Sequence, residues 1–227
     1  MDGLSTSMLV AAIGVAFVHT ALGPDHYLPF VALAKARRWS LRRTLWITTA
    51  CGIGHVLSSL LLGGLGIAAG IAVGALETVE NQRGAMAAWL LFGVGIAYAL
   101  WGVRQALRHV HAHGHSHGSG DHHHGHGQVP VAARSTTFWA LFVVFVLGPC
   151  EPLIPLFMVP ASQQRWGAAL ATGVVFGVVT LATMLAITAS AVLGLARLPL
   201  DPLQRWTHAL AGSVIASSAA AVLWLGA

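Results

Sequence analysis

Two kinds of side chain stand in this sequence where apolar residues would be expected. The first is a set of metal-capable groups inside otherwise oily stretches. His19-Thr20-Ala21-Leu22-Gly23-Pro24-Asp25-His26 places two imidazoles and a carboxylate around a Gly-Pro pair. Cys51-Gly52-Ile53-Gly54-His55 adds a thiol and a third imidazole, and Leu147-Gly148-Pro149-Cys150-Glu151 adds a thiol and a carboxylate. Imidazole nitrogen, carboxylate oxygen and thiolate suit divalent transition metals. An ionisable group in hydrocarbon costs at least a few kcal/mol, so each is a functional candidate. His19 and His26 would lie on one helical face, but about 10 Å apart along the axis. A kink at Pro24, which lacks a backbone donor, could bring His19 towards Asp25 and His26. The candidate metal ligands are therefore His19, Asp25, His26, His55, Cys150 and Glu151. Thr180 and Thr183 could line a path, and His208 reads as an interfacial residue.

The second kind is a histidine tract. His109, His111, His113, His115, His117, His122, His123, His124 and His126 lie among glycines and serines. Nothing there could form a core, so the tract reads as disordered. Such composition captures borderline metals such as nickel, cobalt, copper and zinc, without naming one.

These groups need elements to hold them. Of 227 residues, 56% are hydrophobic and only 8% charged, far below the roughly 25% of a soluble domain. Lipid must be the main solvent, which makes the bilayer the first partner. Apolar length predicts an all-α membrane protein of about six spans. They cover residues 7–31, 45–76, 84–103, 136–159, 166–195 and 207–225, with helices 1 and 4 broken at their Gly-Pro pairs. By this partition only two acids, Asp25 and Glu151, lie deep in apolar spans. The first span lacks a basic leader and a cleavage site, so it reads as retained. Two cysteines make no disulfide framework.

Lys35, Arg37, Arg38, Arg42, Arg43, Arg104, Arg108, Arg134, Arg197 and Arg205 fall on one side of this arrangement, and Arg83 and Arg165 on the other. That bias orients a multi-pass protein of the cell (inner) membrane with its His-rich loop cytoplasmic, and explains the net charge of +5 without nucleic acid. Residues 22–30 and 147–157 share a Gly-Pro pair, two metal-capable residues and a further proline. Three spans separate the copies, which predicts an inverted 3+3 repeat with its substrate site near the midplane. The divisions are 1–103 for the first repeat, 104–134 for the loop and 135–227 for the second repeat.

At these residues the chain resembles the nickel/cobalt transporter family. The stretch from His19 to His26 is similar to its His-x4-Asp-His signature, with five residues here between His19 and Asp25. Ile53-Gly54-His55 resembles its Gly-His elements, and the histidine tract resembles the loop of its bacterial exporters. The chain also looks like the related urease-accessory-type transmembrane proteins. The resemblance implies a carrier rather than an enzyme, with no permanently bound cofactor. Ni2+ or Co2+ would be the cargo, with Zn2+ a third candidate, and export the expected direction.

The residues suggest a mechanism. The loop concentrates metal at the cytoplasmic mouth. The ion then binds His26, Asp25, His55 and His19, with Glu151 across the repeat axis, and protonation of Asp25 or Glu151 loosens it. Two other readings remain open. A thiol-disulfide electron carrier would use Cys51 and Cys150, as the Gly-Pro-Cys element of cytochrome c biogenesis carriers suggests. A transporter of another small solute, such as an oxyanion, would have to accept two buried acids of like charge. Oligomeric state is not legible.

Overall fold

The computed structural model describes residues 3–111, 131–148, 150–198 and 201–225. All regular structure among them is helical. In chain order the helices are α1 (Gly3–Leu22), a 3-10 turn (Pro24–His26), α2 (Leu28–Ala36), α3 (Leu41–Ala68) and α4 (Val73–His111). The second series is α5 (Val131–Leu147), α6 (Leu153–Ser162), α7 (Trp166–Ala196), a 3-10 turn (Asp201–Trp206) and α8 (Thr207–Leu225). Four are long and apolar enough to cross a bilayer: α3, α4, α7 and α8. Large apolar side chains such as Trp46 (68% exposed), Leu65 (68%) and Trp224 (70%) point outwards. In water they would form a sticky surface; in lipid they need no partner.

The first break has a local cause. Pro24 has no N–H and disfavours helical backbone at the residue before it, and Gly23 sits in an extended conformation (φ −82°, ψ 95°). Gly23 N–H still reaches the His19 carbonyl (3.0 Å), after which the chain tightens into the 3-10 turn through His26 N–H to Gly23 O (3.1 Å). Pro29 falls in the first turn of α2, where its missing donor is harmless. At the second break α5 stops at Leu147 and α6 restarts at Leu153 behind Pro152.

The expected second and third spans are divided differently. Ser40 caps α3, its hydroxyl accepting Arg43 N–H at 3.3 Å. The helix ends at Gly70 in the left-handed region (φ +67°), with Ile71 N–H closing back on Gly66 O. The glycines of 63–70 thus end a helix rather than kink one, and α4 already begins at Val73. Residues 77–83, read from sequence as a polar connection, are helical. So are residues 104–111 and 131–134, assigned above to the loop. The rest of the histidine tract, His113 to His126, lies outside the described residues.

In the packing, α4 runs along α8, α1 along α7, and α3 against α5, α6 and α7. The α4–α8 seam is unusually close. A Cβ on Gly212 would fall 2.2 Å from Ala99 N, and one on Gly95 2.5 Å from Ala216 N. Small residues let these backbones meet, as membrane helices require when no hydrophobic effect drives them together.

Candidate metal site

His19 comes from the last turn of α1, His26 from the 3-10 turn and His55 from the middle of α3. The break rather than helical periodicity unites the first two: their ring centroids are 4.9 Å apart, edge to face. His26 meets His55 likewise at 5.1 Å. One nitrogen from each of the three rings lies within 4.8 Å of the others. Zinc-type ions bind imidazole at about 2.0–2.1 Å, so two ligands on opposite sides of one ion stand at most ~4.2 Å apart. The trio would need to close by roughly half an ångström, within the reach of side-chain rotation.

Gly23 makes this approach possible. A Cβ at that position would sit 2.5 Å from His26 Nδ1. The glycine therefore has two duties, turning the chain and leaving room for the ring to fold back.

Hydrogen bonding directs the free nitrogens. His55 Nδ1 lies 3.2 Å from the carbonyl oxygen of Phe145, which can only accept. That nitrogen must carry the proton, which leaves a lone pair on Nε2. His26 Nδ1 lies 3.1 Å from Asp25 Oδ1; a carboxylate there favours the same tautomer. The Nε2 atoms of His19, His26 and His55 are all buried and have no hydrogen-bond partner. Unpartnered buried polar atoms are rare and call for an explanation. Imidazoles whose Nδ1–H is held by a carboxylate and a main-chain carbonyl are built as metal ligands usually are.

A cavity of about 30 Å³ adjoins the site, with Asp25, His26, His55, Gly84, Phe145 and Gly148 in its wall. On a scale where one water needs ~10–15 Å³, it holds two or three waters and not the six of a hydrated ion. An ion entering here must exchange water for protein ligands.

Not every candidate from the sequence joins this centre. His19, His26 and His55 converge, and Asp25 stands behind His26 as its hydrogen-bond partner, with 28% of its side chain still exposed. Cys51 is buried among Phe30, Ile47 and Met184, and Cys150 among Ala12, Ala16 and Phe176. Both are free thiols in separate apolar clusters. Glu151 is exposed, so it is not the buried acid that the sequence partition made it. His208 bonds the Tyr98 hydroxyl at 2.8 Å, an interfacial pairing. Thr180 is buried with its hydroxyl unpartnered, and Thr183 is buried as well.

The buried acid is Glu80. It is 0% exposed and pairs with Arg83 at 2.7 Å. The sequence reading missed it because residues 77–83 looked like a connection. The signal was present: Leu76, Glu80, Gly84, Ala87 and Leu91 recur at three- and four-residue intervals, one face of a helix.

The comparisons with known proteins add no relative: no family model, no curated protein and no solved structure matches this chain.

Proposed function

We propose that this protein carries a divalent transition metal ion, of the nickel, cobalt or zinc type, across a membrane. One observation carries the proposal. Three imidazoles, from α1, the 3-10 turn and α3, converge with their Nε2 atoms buried and unpartnered, and the Nδ1 hydrogen bonds of His26 and His55 leave a lone pair on the far nitrogen of each of those two rings. A cation that accepts nitrogen ligands satisfies all three at once. Asp25 supplies negative charge beside them. The open half-ångström suits transient cargo better than a permanently held ion. The nickel/cobalt family assignment rests on the short motifs around His19–His26 and His55 alone.

In this proposal the chain is an inverted repeat of two three-span halves, with six spans once α1–α2 and α5–α6 are counted as broken crossings. Matched contacts support it. Gly52 lies under Leu181 and Gly177 under Val56. These pairs exchange under a shift of 125 residues, the shift that carries Gly23 onto Gly148. Both helices that follow the breaks end alike, at Arg38 (φ 51°) and Gln164 (φ 60°), with Trp39 N–H on Ala34 O and Arg165 N–H on Pro160 O. The site then lies where α3 crosses both breaks, the midplane position of many transporters. The His-rich segment collects metal on the cytoplasmic side of the inner membrane, and export is the direction this favours.

The test is metal flux into proteoliposomes of known sidedness across a panel of divalent ions. Nickel, cobalt or zinc should move, and the Asp25→Asn/His26→Ala double variant should not. Equal flux by the variant removes the proposal. The thiol-relay alternative requires a Cys51–Cys150 disulfide or exchange with a partner thiol, and thiol labelling under oxidising and reducing conditions separates the two.

A further inference from the structure

The transport reading leaves one buried ion pair without a task. Glu80 is fully enclosed; Arg83 Nη1 donates to its Oε1 at 2.7 Å, while the buried Oε2 makes no well-formed hydrogen bond, and the Ser59 hydroxyl and Cys150 backbone N–H lie near the carboxylate. Removing two charges from water and placing them in a membrane interior is costly, and a pair of this kind is weak evidence of stability alone.

The pair is wired to the histidine site. Arg83 Nη2 donates to Val146 O at 2.6 Å and to Ser58 Oγ at 3.1 Å. Val146 neighbours Phe145, whose carbonyl holds His55 Nδ1. Ser58 Oγ in turn donates to the main-chain carbonyl of His55 at 2.9 Å. Two short routes thus join one guanidinium to one metal-ligand candidate, through the last turn of α5 and through α3. The residue after Arg83, Gly84, lines the cavity beside His26 and His55.

We propose that Glu80 is the binding site of a coupling proton for the histidine centre, and that Arg83 positions His55 according to whether Glu80 is ionised. This inference rests on the metal-transport reading. With Glu80 ionised, the carboxylate cancels the guanidinium charge and Arg83 is pinned, which holds the end of α5 and His55 in place. When a proton adds to a Glu80 oxygen, the carboxylate becomes a neutral acid. Arg83 then faces the site as an uncancelled cation and loses its ionic partner, leaving Val146 O and Ser58 Oγ as its remaining acceptors. Both effects disfavour a dication among the imidazoles, so proton and metal bind antagonistically. Linkage makes this reciprocal: metal binding expels the proton by the same factor. The proton returns to solvent as H+, and no other reactant is needed.

The ionisable neighbours of Glu80 fit this role. Glu77 precedes it by one turn of α4, and Cys150 and Glu151 of the second break interact with it electrostatically. From α3 it meets the hydroxyl of Ser59. Helix α6 and the described part of α5 from Thr137 carry no ionisable residue, and α8 carries only His208, already bonded to Tyr98.

The experiment measures protons released per Ni2+ bound by purified protein in weak buffer, and Ni2+ flux driven by a pH gradient in proteoliposomes. Histidine ligands release protons in every variant, so the difference between wild type and Glu80→Gln isolates Glu80. The variant should release about one proton fewer per ion near the titration of Glu80 and lose its response to the gradient. Glu80→Asp, which keeps an acid, should retain part of that response. If Glu80→Gln does not fold, the Glu80→Gln/Arg83→Gln double variant removes both charges together and should show the same two losses. Unchanged proton release and gradient response in whichever variant folds overturn the assignment while the transport reading stands. Absence of metal flux and metal binding in the wild type overturns both.

Discussion

His55 of α3 and Phe145 of α5 are 90 positions apart in sequence, and one hydrogen bond of 3.2 Å joins the ring of the first to the carbonyl of the second. That bond fixes the tautomer of His55 and decides which nitrogen can take a metal. It also means that the end of α5, although it contributes no ligand, sets the orientation of one.

The first prediction concerns the ligands. His55→Ala or His26→Ala should lower nickel affinity by roughly 100-fold or more, and Asp25→Asn, which spares all three imidazoles, by about 10- to 100-fold. Titration calorimetry on protein in detergent measures both. If affinity is the same without His55, that residue is not a ligand.

Acid should weaken binding. Each imidazole must be neutral to ligate, so protons compete with the ion. As pH falls, affinity should drop, with protons taken up by the imidazoles for each ion lost. Equilibrium dialysis over a descending pH series tests this, and an affinity unchanged down to the acid limit of folding would exclude a histidine centre.

Gly23 can be tested apart from the ligands. Gly23→Ala places a methyl 2.5 Å from His26 Nδ1 and must push the ring away. Nickel affinity should fall by about tenfold or more while the protein stays folded, because the neighbour that gives way is a side chain. The circular-dichroism spectrum and the binding isotherm should separate; a joint loss would instead show the glycine to be structural.

At Gly212 the neighbour is main chain. Gly212→Ala brings a Cβ within 2.2 Å of Ala99 N, and neither helix backbone can yield locally. Overpacking of this type costs about 1–3 kcal/mol, so the melting temperature in detergent should drop. An unchanged melting temperature would mean that α4 and α8 separate freely.

Deleting residues 109–126 removes the histidine tract. Binding at low metal concentration or regulation should weaken, while flux at saturating metal continues. Complete loss of flux would place the tract in the path itself.

The breaks, the membrane class and the convergence of His19, His26 and His55 were legible because Gly-Pro pairs and imidazoles are rare inside apolar runs, so type and spacing both carry information. The expected 10 Å between His19 and His26 disappears because the chain leaves the helix at Gly23, a change that follows from Pro24. Glu80 was not legible as a buried acid. Charged residues at a span boundary read as a connection, which outweighed the helical spacing of Leu76, Glu80, Gly84, Ala87 and Leu91; that spacing puts Glu80 on the apolar face, and the position of α4 against the second break shows that face to be enclosed. The opposite error put Glu151 indoors: it follows the apolar run of α5 in sequence, but it sits exposed in the turn between α5 and α6.

The close contact of α4 with α8 has a mechanical consequence. Where Gly95 and Gly212 bring main chain against main chain, there is no cushion of side chains to shear, so those two helices move together or not at all. They form a stiff keel. Under the transport proposal, exposing the histidines first to one face of the membrane and then to the other falls to the interrupted helices beside it, where the ladder of hydrogen bonds is already broken at Gly23-Pro24 and ahead of Leu153.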